Sequence, residues 1–414
     1  MSMREYVGVD TRQQRLGNGL TLLTNVKPTG TVTLSITVRV GSFHERDHQG
    51  IAHLVEHLVF KGTEKRTVDE INEAIEDVGG ILNAETTFEY TRYYCTVPSD
   101  AWQVGLDVLC DIVFNATIPV DEFDREKTVV QEEISMYDDD PSSYVNDQLF
   151  KAIYQNYPSR QTIAGTRNSV GAISRQDVVD FITDYYVSQN IFVIAAGDID
   201  PKAIVTFLQR YPVKQGGVTP PLMPFKGVEL NMNLTTDTRH IEQAHLAWGL
   251  IAPKAQATDA AAASVYAAVL GGTMTSRLYR LIREQRGLAY TVSTSYLGFS
   301  DTGLILGYTG LAQQHVEMVS ELIVEEFERL RYEVVSPTEL NRVKASITGI
   351  FLITLERTSS LVSFLNNAVI LGLSLDPNIR IREVENVSAP MLTQVAQTYV
   401  LPSNWQFSTI LPNS

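Results

Sequence analysis

SRQDVVDFITDYYVSQNIFVIAA, residues 174–196, sets the architecture of this chain, because SAPMLTQVAQTYVLPSNWQFSTI, residues 388–410, repeats its pattern. Each stretch predicts a helix followed by a strand. The repeat indicates an internal duplication of a unit of about half the chain. Three polar residues recur 214 positions apart: Ser174 and Ser388, Tyr185 and Tyr399, Asn190 and Asn404.

The two copies are separated by a segment rich in proline and glycine. Residues 211–225 contain four prolines and the pair Gly216-Gly217, a composition typical of a stiff linker. We therefore predict an α/β (α+β) protein with two duplicated domains, each a mixed sheet packed against helices. The predicted first domain covers residues 1–215, the linker 216–228 and the second domain 229–414. Residues 20–25 and 31–39 predict a pair of strands joined by a turn.

The pentapeptide His53-Leu54-Val55-Glu56-His57 predicts a metal site on a helix. At about 100° per residue, His53 and His57 lie on one face, so both imidazoles can bind the same tetrahedral Zn²⁺. Glu56 lies beside them and is the predicted catalytic base, which would take a proton from water. H-x-x-E-H is the inverted form of the H-E-x-x-H zinc motif.

A catalytic zinc site needs a third protein ligand, which the same helix cannot supply. Residues 124–134 predict a second helix, on which Glu126 and Glu133 are seven positions apart and share a face. One carboxylate could bind the metal while the other orients a ligand. The spacing does not choose between them, since acidic pairs on helices are usually solvated.

Composition narrows the remaining classes of protein. The chain has 414 residues, too many for one ordinary core, and its net charge of −15 argues against nucleic acids and anionic membranes as partners. No run approaches the roughly 18 apolar residues of a membrane span, so no membrane insertion is expected. Residues 1–10 lack the apolar core of a secretory signal, which favours the cytoplasm. Cys95 and Cys110 fall in a strand and a helix pattern, which favours two buried thiols over a disulfide.

Segments on both sides of the pentapeptide resemble the pitrilysin-type inverzincins, and among these zinc metallopeptidases the bacterial relatives of the mitochondrial processing peptidase. They are Gly41-Ser42 and Glu45 before it, residues 50–52 directly ahead of His53, and residues 60–63 after it. The resemblance runs over nearly the whole chain. It implies that the two domains together form half of a clamshell chamber.

The resemblance also implies the third ligand. In the family it lies 76 residues after the second histidine, which is Glu133 in this chain. Glu126 then matches the family's glutamate that orients a ligand from behind. Glu132 is the alternative ligand if the match is displaced by one residue.

A second segment of the family binds substrate. Residues 275–290 read as a basic helix that ends near residue 287 and enters a strand, a pattern typical of an exposed helix face. In the family, an arginine and a tyrosine of this segment bind the substrate backbone and stabilise the developing oxyanion. The match implies Arg283 and Tyr290 for these roles, with Arg280 and Arg286 as rivals. A guanidinium and a phenol both donate hydrogen bonds to a carbonyl oxygen as it gains charge.

Two further features concern contact with substrate. Asn83 and Ala84 match a family strand at a sheet edge, to which an extended peptide adds through its main chain. The alternative is that Asn83 simply begins a strand. His44 and His48 lie in the loop before the zinc motif, and we interpret them as surface residues, because a loop offers no fixed ligand spacing.

Together these features predict a zinc-dependent endopeptidase that hydrolyses peptides or short unfolded segments enclosed in a chamber, with one Zn²⁺ per chain. Because family chambers are built from four domains and this chain supplies two, we expect a homodimer, with a heterodimer with a related chain as the alternative. Two other functions stay open. The chain could be a zinc-bearing subunit that needs a different partner, or a non-catalytic structural subunit similar to the core subunits of the respiratory cytochrome complex.

Overall fold

The computed structural model describes residues 11–222, 224–228, 230 and 233–413. The first ten residues, on which the absence of a secretory signal was predicted, lie outside the described part, as do residue 414 and four positions in and just after the predicted linker. The described chain divides into two compact units, and each contains its own sheet.

The first unit is built on a six-stranded sheet with the order β1-β2-β6-β3-β5-β4. All neighbours are antiparallel except β2 and β6, which are parallel. Every residue of β6 is buried, as expected for a strand covered on both faces. Its strands are β1 (Thr11–Arg15), β2 (Thr21–Val26), β3 (Thr31–Val38), β4 (Ile81–Thr86), β5 (Thr91–Pro98) and β6 (Ile191–Gly197).

The predicted pairing of residues 20–25 with 31–39 is wrong. Both segments are strands, β2 and β3, but β6 lies between them and pairs with each. The reason is that every residue of β6 is buried, so it occupies a central place, whereas a hairpin of β2 and β3 would have displaced it.

The second unit contains a five-stranded sheet with the order β7-β11-β8-β10-β9. Only β7 and β11 are parallel, so this sheet repeats the order and directions of β2-β6-β3-β5-β4 in the first. The predicted duplication is thereby confirmed at the level of topology. Its strands are β7 (Asn233–Arg239), β8 (Ala244–Ala252), β9 (Ala289–Gly298), β10 (Gly303–Leu311) and β11 (Trp405–Pro412).

Helices connect and cover the strands. In the first half of the chain they are α1 (Ile51–Leu58), α2 (Val68–Glu76), α3 (Trp102–Phe114), α4 (Val120–Asp139), α5 (Pro141–Ile153), α6 (Arg167–Ala172), α7 (Arg175–Tyr185) and α8 (Pro201–Arg210). In the second half they are α9 (Ala260–Gly271), a π-helix (Tyr279–Gln285), α10 (Val316–Arg329), α11 (Pro337–Thr354), α12 (Thr358–Leu371), α13 (Pro377–Asn386) and α14 (Ala389–Tyr399).

The repeated stretch is duplicated in detail. Helices α7 and α14 each begin after a serine at the N-cap and lead into β6 and β11. The Asn190 side chain donates a hydrogen bond to the Tyr185 carbonyl at 3.1 Å, and that of Asn404 donates to the Tyr399 carbonyl at 3.0 Å. These asparagines satisfy a carbonyl at a helix C-terminus, which explains why both copies keep the same residue at the same spacing.

Each unit also takes one helix from the other half of the sequence. The segment Thr354–Ile370 belongs to the first unit, where the Thr358 hydroxyl bonds to that of Thr33 at 2.8 Å and Asn366 accepts from Thr37 at 2.6 Å. Met136–Tyr157, which includes α5, belongs to the second unit and packs on β8 and β11. The predicted boundaries at 1–215 and 229–414 are linear, whereas the compact units exchange these helices.

Two other observations concern composition. Cys95 and Cys110 are both buried free thiols, as predicted. Within the described residues, no single helix is both long and apolar enough to cross a membrane, although α11 and α12 meet the length and composition test if they are taken together as a bent pair.

Candidate metal centre

Helix α1, which carries the H-x-x-E-H pentapeptide, is fixed in the core of the first unit. Five of its apolar side chains are buried, and its N-cap is Gly50 with φ of 87°, a conformation that favours glycine. A Cβ at this position would lie 2.4 Å from the Ala164 carbonyl oxygen. Glycine is therefore required here both for its backbone angle and for space.

A distant carboxylate caps this helix, since Gly50 has no side chain to do so. The two oxygens of Glu45 accept the N–H groups of Gly50 at 2.8 Å and Ala52 at 2.9 Å. Complete burial raises the pKa of Glu45 to about 8, and the two N–H donors oppose that effect. Glu45 thus takes the role of the missing N-cap side chain, and Ala52, its second contact, directly precedes His53.

Three candidate ligands meet at this helix. Nε2 of His57 lies 3.2 Å from Oε2 of Glu133, and Nε2 of His53 lies 3.8 Å from the same oxygen. The three ligand atoms are all within 4.8 Å of one another. In a tetrahedral zinc site with bonds of about 2.0–2.1 Å, ligand atoms are about 3.3 Å apart, so two imidazole nitrogens and one carboxylate oxygen at these distances fit Zn²⁺.

Glu126 supports the second histidine from behind. Its Oε2 lies 3.3 Å from Nδ1 of His57, and its Oε1 lies 2.8 Å from the ammonium of Lys61. Burial alone would lower the pKa of His57, but the hydrogen bond to Glu126 and the nearby carboxylates raise it overall. The Glu126 contact orients the ring with Nε2 towards Glu133, as outer carboxylates do at metal sites.

The two histidines have different surroundings. Burial, followed by the charge of His57, lowers the pKa of His53, although Glu133 opposes the effect. Nδ1 of His53 is buried without a hydrogen-bond partner in the described structure. A neutral imidazole is the form that binds a metal ion, so burial prepares His53 for that role.

Glu132, the alternative ligand, lies outside this cluster. Its side chain is 67% exposed and forms an ion pair with Arg167 at 3.6 Å. On α4 the cluster side carries Glu126 and Glu133, which are seven residues apart, and Glu132 points away from them.

Glu56, the predicted base, is held from the neighbouring sheet. The Thr86 hydroxyl on β4 donates a hydrogen bond to its Oε2 at 2.5 Å. Burial raises the pKa of Glu56, which the Thr86 hydrogen bond and the charge of His57 oppose. A carboxylate with a raised pKa beside a metal site is suited to accept and return a proton.

Asn83 and Ala84 lie on the same strand as Thr86. Strand β4 is at the edge of the first sheet and pairs with β5 alone among the described strands. The Asn83 side chain is exposed, and its carbonyl oxygen accepts the N–H of Ala84 at 2.8 Å. The edge is therefore open to an added strand beside the residue that holds Glu56.

Arg283 and Tyr290 are neighbours in the second unit. The Arg283 guanidinium lies 4.6 Å from the centre of the Tyr290 ring and 4.9 Å from that of Tyr279, whose hydroxyl it also contacts. Tyr290 is 74% exposed, so its hydroxyl is accessible. The rivals Arg280 and Arg286 are both exposed. The structure therefore pairs the two residues that the family resemblance selected.

The basic segment is exposed at Arg280 and Arg286, as predicted, but not at Arg277. It forms a π-helix rather than a regular α-helix, and Arg277 just before it is held by carboxylates. Arg277 contacts Glu339 at 2.8 Å, Glu326 at 3.3 Å and Glu333 at 3.3 Å. Sequence reasoning missed this anchor, because its partners are about 50 residues or more away.

His44 is partly buried, which the interpretation as a surface residue did not anticipate. Its Nδ1 accepts the N–H of Gly41 at 3.1 Å, and burial lowers its pKa to about 4. The reason is that the loop folds into a short 3-10 turn (Ser42–His44) packed against the first unit. His48 remains partly exposed and lies 3.5 Å from Asp177.

Comparison with known proteins decides the family. Residues 20–167 match the family described as "Insulinase (Peptidase family M16)", and residues 172–347 match "Peptidase M16 inactive domain". The chain is 33% identical over 351 residues to the protein named "Uncharacterized zinc protease YmxG" of Bacillus subtilis, covering 84% of this chain and 85% of that protein. The chain belongs to peptidase family M16. The predicted recognition is thus confirmed.

Other relatives and solved structures agree. A protein of Mycobacterium tuberculosis named "Uncharacterized zinc protease Rv2782c" is 30% identical over 93% of this M16 chain and 90% of its own length. The crystal structure of a protease from Helicobacter pylori matches with a TM-score of 0.91 at 22% identity, covering 98% of this chain and 100% of that one. At that identity the structural likeness shows the fold alone. The relatives' names support a zinc peptidase in general terms.

Proposed function

We propose that this M16 chain is a zinc-dependent endopeptidase that cleaves peptides or short unfolded polypeptide segments. One observation carries the proposal: two imidazole nitrogens of α1, the helix that also presents Glu56, and a carboxylate oxygen of α4 lie within 4.8 Å of one another. The names of the relatives, which include zinc proteases, support the same chemistry.

His53, His57 and Glu133 would hold one zinc ion per chain. When bound, the ion would supply Lewis acidity, which activates water and polarises the scissile carbonyl. Glu56 takes the proton from the attacking water and returns it to the leaving amine. Thr86 fixes the position of that carboxylate, while Glu126 keeps the His57 ring oriented.

The substrate would bind as an added strand. The open edge of β4 offers main-chain pairing at Asn83 and Ala84, which gives affinity without demanding one sequence. Because Thr86 follows on the same strand, a peptide paired there would lie beside Glu56. Arg283 and Tyr290 would donate hydrogen bonds to a substrate carbonyl as it gains negative charge.

We further propose that the chain works as a homodimer that encloses its substrate in a chamber, in the cytoplasm. Both sets of residues, the zinc ligands and the pair Arg283 and Tyr290, occur on one chain. A single kind of subunit therefore carries every part that the reaction needs. Dependence on a different partner chain is the alternative, and it would be revealed by an inactive but correctly metallated protein.

The test of this function is the variant Glu56→Gln. It should keep stoichiometric zinc, because Glu56 is not among the clustered ligand atoms, and lose hydrolysis of an unfolded peptide by roughly 10³-fold or more. Zinc is measured by elemental analysis and activity with a quenched fluorescent peptide. Glu132→Gln is the matched control and should keep both properties. Loss of zinc from Glu56→Gln, or full activity without Glu56, would contradict the proposal.

A further inference from the structure

One strand of the second unit is more exposed than its counterpart in the first unit. Strand β2 in the first sheet and β7 in the second occupy the same place, each at the parallel end of its sheet. Leu22 pairs with Val193, and Leu234 pairs with Phe407, the counterpart of Val193 at the 214-residue offset. Leu22 is 0% exposed, whereas Leu234 is 49% exposed.

In the first unit two elements cover β2. Strand β1 pairs with its outer edge, and helix α8 contacts it. Helix α8 buries Ile204 and Leu208 completely, and its Phe207 ring lies 6.0 Å from Trp102 at the start of α3. The helix therefore fills the space between the strand β2 and the helix α3.

In the second unit the same space is a groove. Helix α10 is the counterpart of α3, since Val316 lies 214 residues after Trp102 and each follows a short 3-10 turn. A groove of about 870 Å³ lies between α10 and the strands β7 and β11. Residues that line it include Leu234, Thr236, Val316, Glu317, Glu321 and Leu411.

No described element takes the place of β1 or α8 here. Leu22 and Leu234 are 212 residues apart, so residues 223–227 would correspond to β1, and the structure describes 224–227 of these. Of these, Phe225 donates its N–H to the Asp301 carboxylate at 2.9 Å, and Lys226 donates to the Tyr157 hydroxyl at 3.0 Å. Both N–H groups are thus engaged away from β7, and no described strand pairs with the outer edge of β7.

We propose that this groove is a docking site for a short amphipathic helix of a partner protein, with basic side chains beside its apolar stripe. Helix α8 of the first unit is the model for the partner helix. It has ten residues, about 15 Å of helix, and occupies the equivalent position. Leu234, Val316 and Leu411 would receive the apolar stripe. Glu317 and Glu321 are both exposed and four residues apart on α10, so they present two carboxylates on one side of the groove.

Polarity distinguishes this groove from the equivalent position in the first unit. At the 214-residue offset, Leu106 of α3 corresponds to Ser320, and Trp102 to Val316. The groove is thus less apolar than the surface that α8 covers in the first unit, as expected for an interface with a partner that binds reversibly. The carboxylates favour lysine or arginine on the partner helix over acidic residues.

The first test uses a fluorescent, helix-stabilised peptide with the sequence of residues 200–211, which copies α8 with its Lys202 and Arg210. Fluorescence anisotropy with the full chain should show saturable binding with a dissociation constant on the order of 1–100 μM. Leu234→Asp should weaken binding roughly 10-fold or more, because it places a charge under the apolar stripe. Met318→Asp, an exposed residue of α10 that does not line the groove, is the control and should leave binding unchanged.

Charge reversal tests the predicted partner chemistry. Glu317→Lys combined with Glu321→Lys should weaken the same peptide at low salt and less so at high salt, because exposed charges are screened. All these variants should keep wild-type hydrolysis of a short peptide, which separates the docking site from the proposed catalytic function.

A second measurement keeps the proposal falsifiable if free peptide binds weakly. Residues 198–200 connect β6 to α8, so residues 198–211 appended after β11 should let the grafted helix reach the groove. The graft should slow amide exchange in α10 and β7, and Leu234→Asp should abolish that protection. Absence of both peptide binding and protection overturns the proposal. It is also overturned if a peptide copying β1 binds instead, which would show strand addition to β7, or if Leu234→Asp dissociates a wild-type oligomer, which would make a second copy the occupant.

Discussion

Glu45 supplies the sharpest test of how the fold positions the metal centre. Glu45→Ala removes both acceptors of the α1 N-terminus and leaves the N–H groups of Gly50 and Ala52 buried without partners. Each such loss costs about 1–3 kcal/mol, so the free energy of unfolding should fall by about 2–6 kcal/mol. Glu45→Gln keeps one acceptor oxygen and should cost about half as much.

The effect should extend to the metal. His53 follows Ala52 directly, so loosening of the first turn of α1 weakens the hold on one ligand, and each 1.4 kcal/mol lost in the bound geometry lowers zinc affinity about tenfold. Urea unfolding and zinc competition with a chelating dye measure the two quantities. Glu70→Ala is the matched control, because Glu70 accepts a backbone N–H at the exposed start of α2, where water can replace the carboxylate, so this variant should lose much less stability than Glu45→Ala. Equal effects of Glu45→Ala and Glu70→Ala, with unchanged zinc affinity, would refute the reasoning.

Two other predictions concern assembly and pH. If Arg283 and Tyr290 act on the site of the other subunit in a homodimer, mixing the inactive variants Glu56→Gln and Tyr290→Phe should restore activity. Each mixed dimer then has one intact site, so its activity should approach half that of the wild-type dimer. Verified mixed dimers without recovery would exclude action between subunits. In protein from which metal has been removed by a chelator, the pKa of His57 is raised above its value of 6.5 in the unfolded chain. The pairing of His57 with Glu126 therefore stabilises the fold fully at pH values below 6.5, and this stabilisation is lost as the pH rises through the pKa of the folded state. The difference in free energy of unfolding between wild type and Glu126→Gln should therefore shrink with rising pH. A difference that stays constant would contradict a stabilising pairing of His57 with Glu126.

The sequence carries the parts of the fold that depend on short spacings. His53 and His57 share a face because four residues make about one helical turn, and the structure brings both to Glu133. The duplication was visible because Asn190 and Asn404 make the same local hydrogen bond in each copy. Such contacts lie within a few residues, so their signal survives in the sequence.

Contacts between distant segments carried no such signal. Strand β6 lies between β2 and β3, yet more than 150 residues separate it from either. Thr86 on β4 binds Glu56 on α1, and Arg277 forms ion pairs with carboxylates on α10 and α11. His44 resembled a surface residue because its burial depends on how the loop packs. Choosing Glu133 over Glu126 likewise needed family spacing or the fold, since both share one face of α4.

The zinc content of three variants with a carboxamide in place of a carboxylate tests whether Glu133 is the third ligand. Glu133→Gln should lose most of its zinc, because it removes the only clustered carboxylate oxygen among the described residues. Glu126→Gln should weaken zinc binding by about 10- to 100-fold, as expected for a group that orients a ligand, and Glu132→Gln should bind zinc as wild type does. Elemental analysis after dialysis against a weak chelator would show this order. Equal zinc retention in all three proteins, or loss from Glu132→Gln alone, would contradict a centre formed by His53, His57 and Glu133.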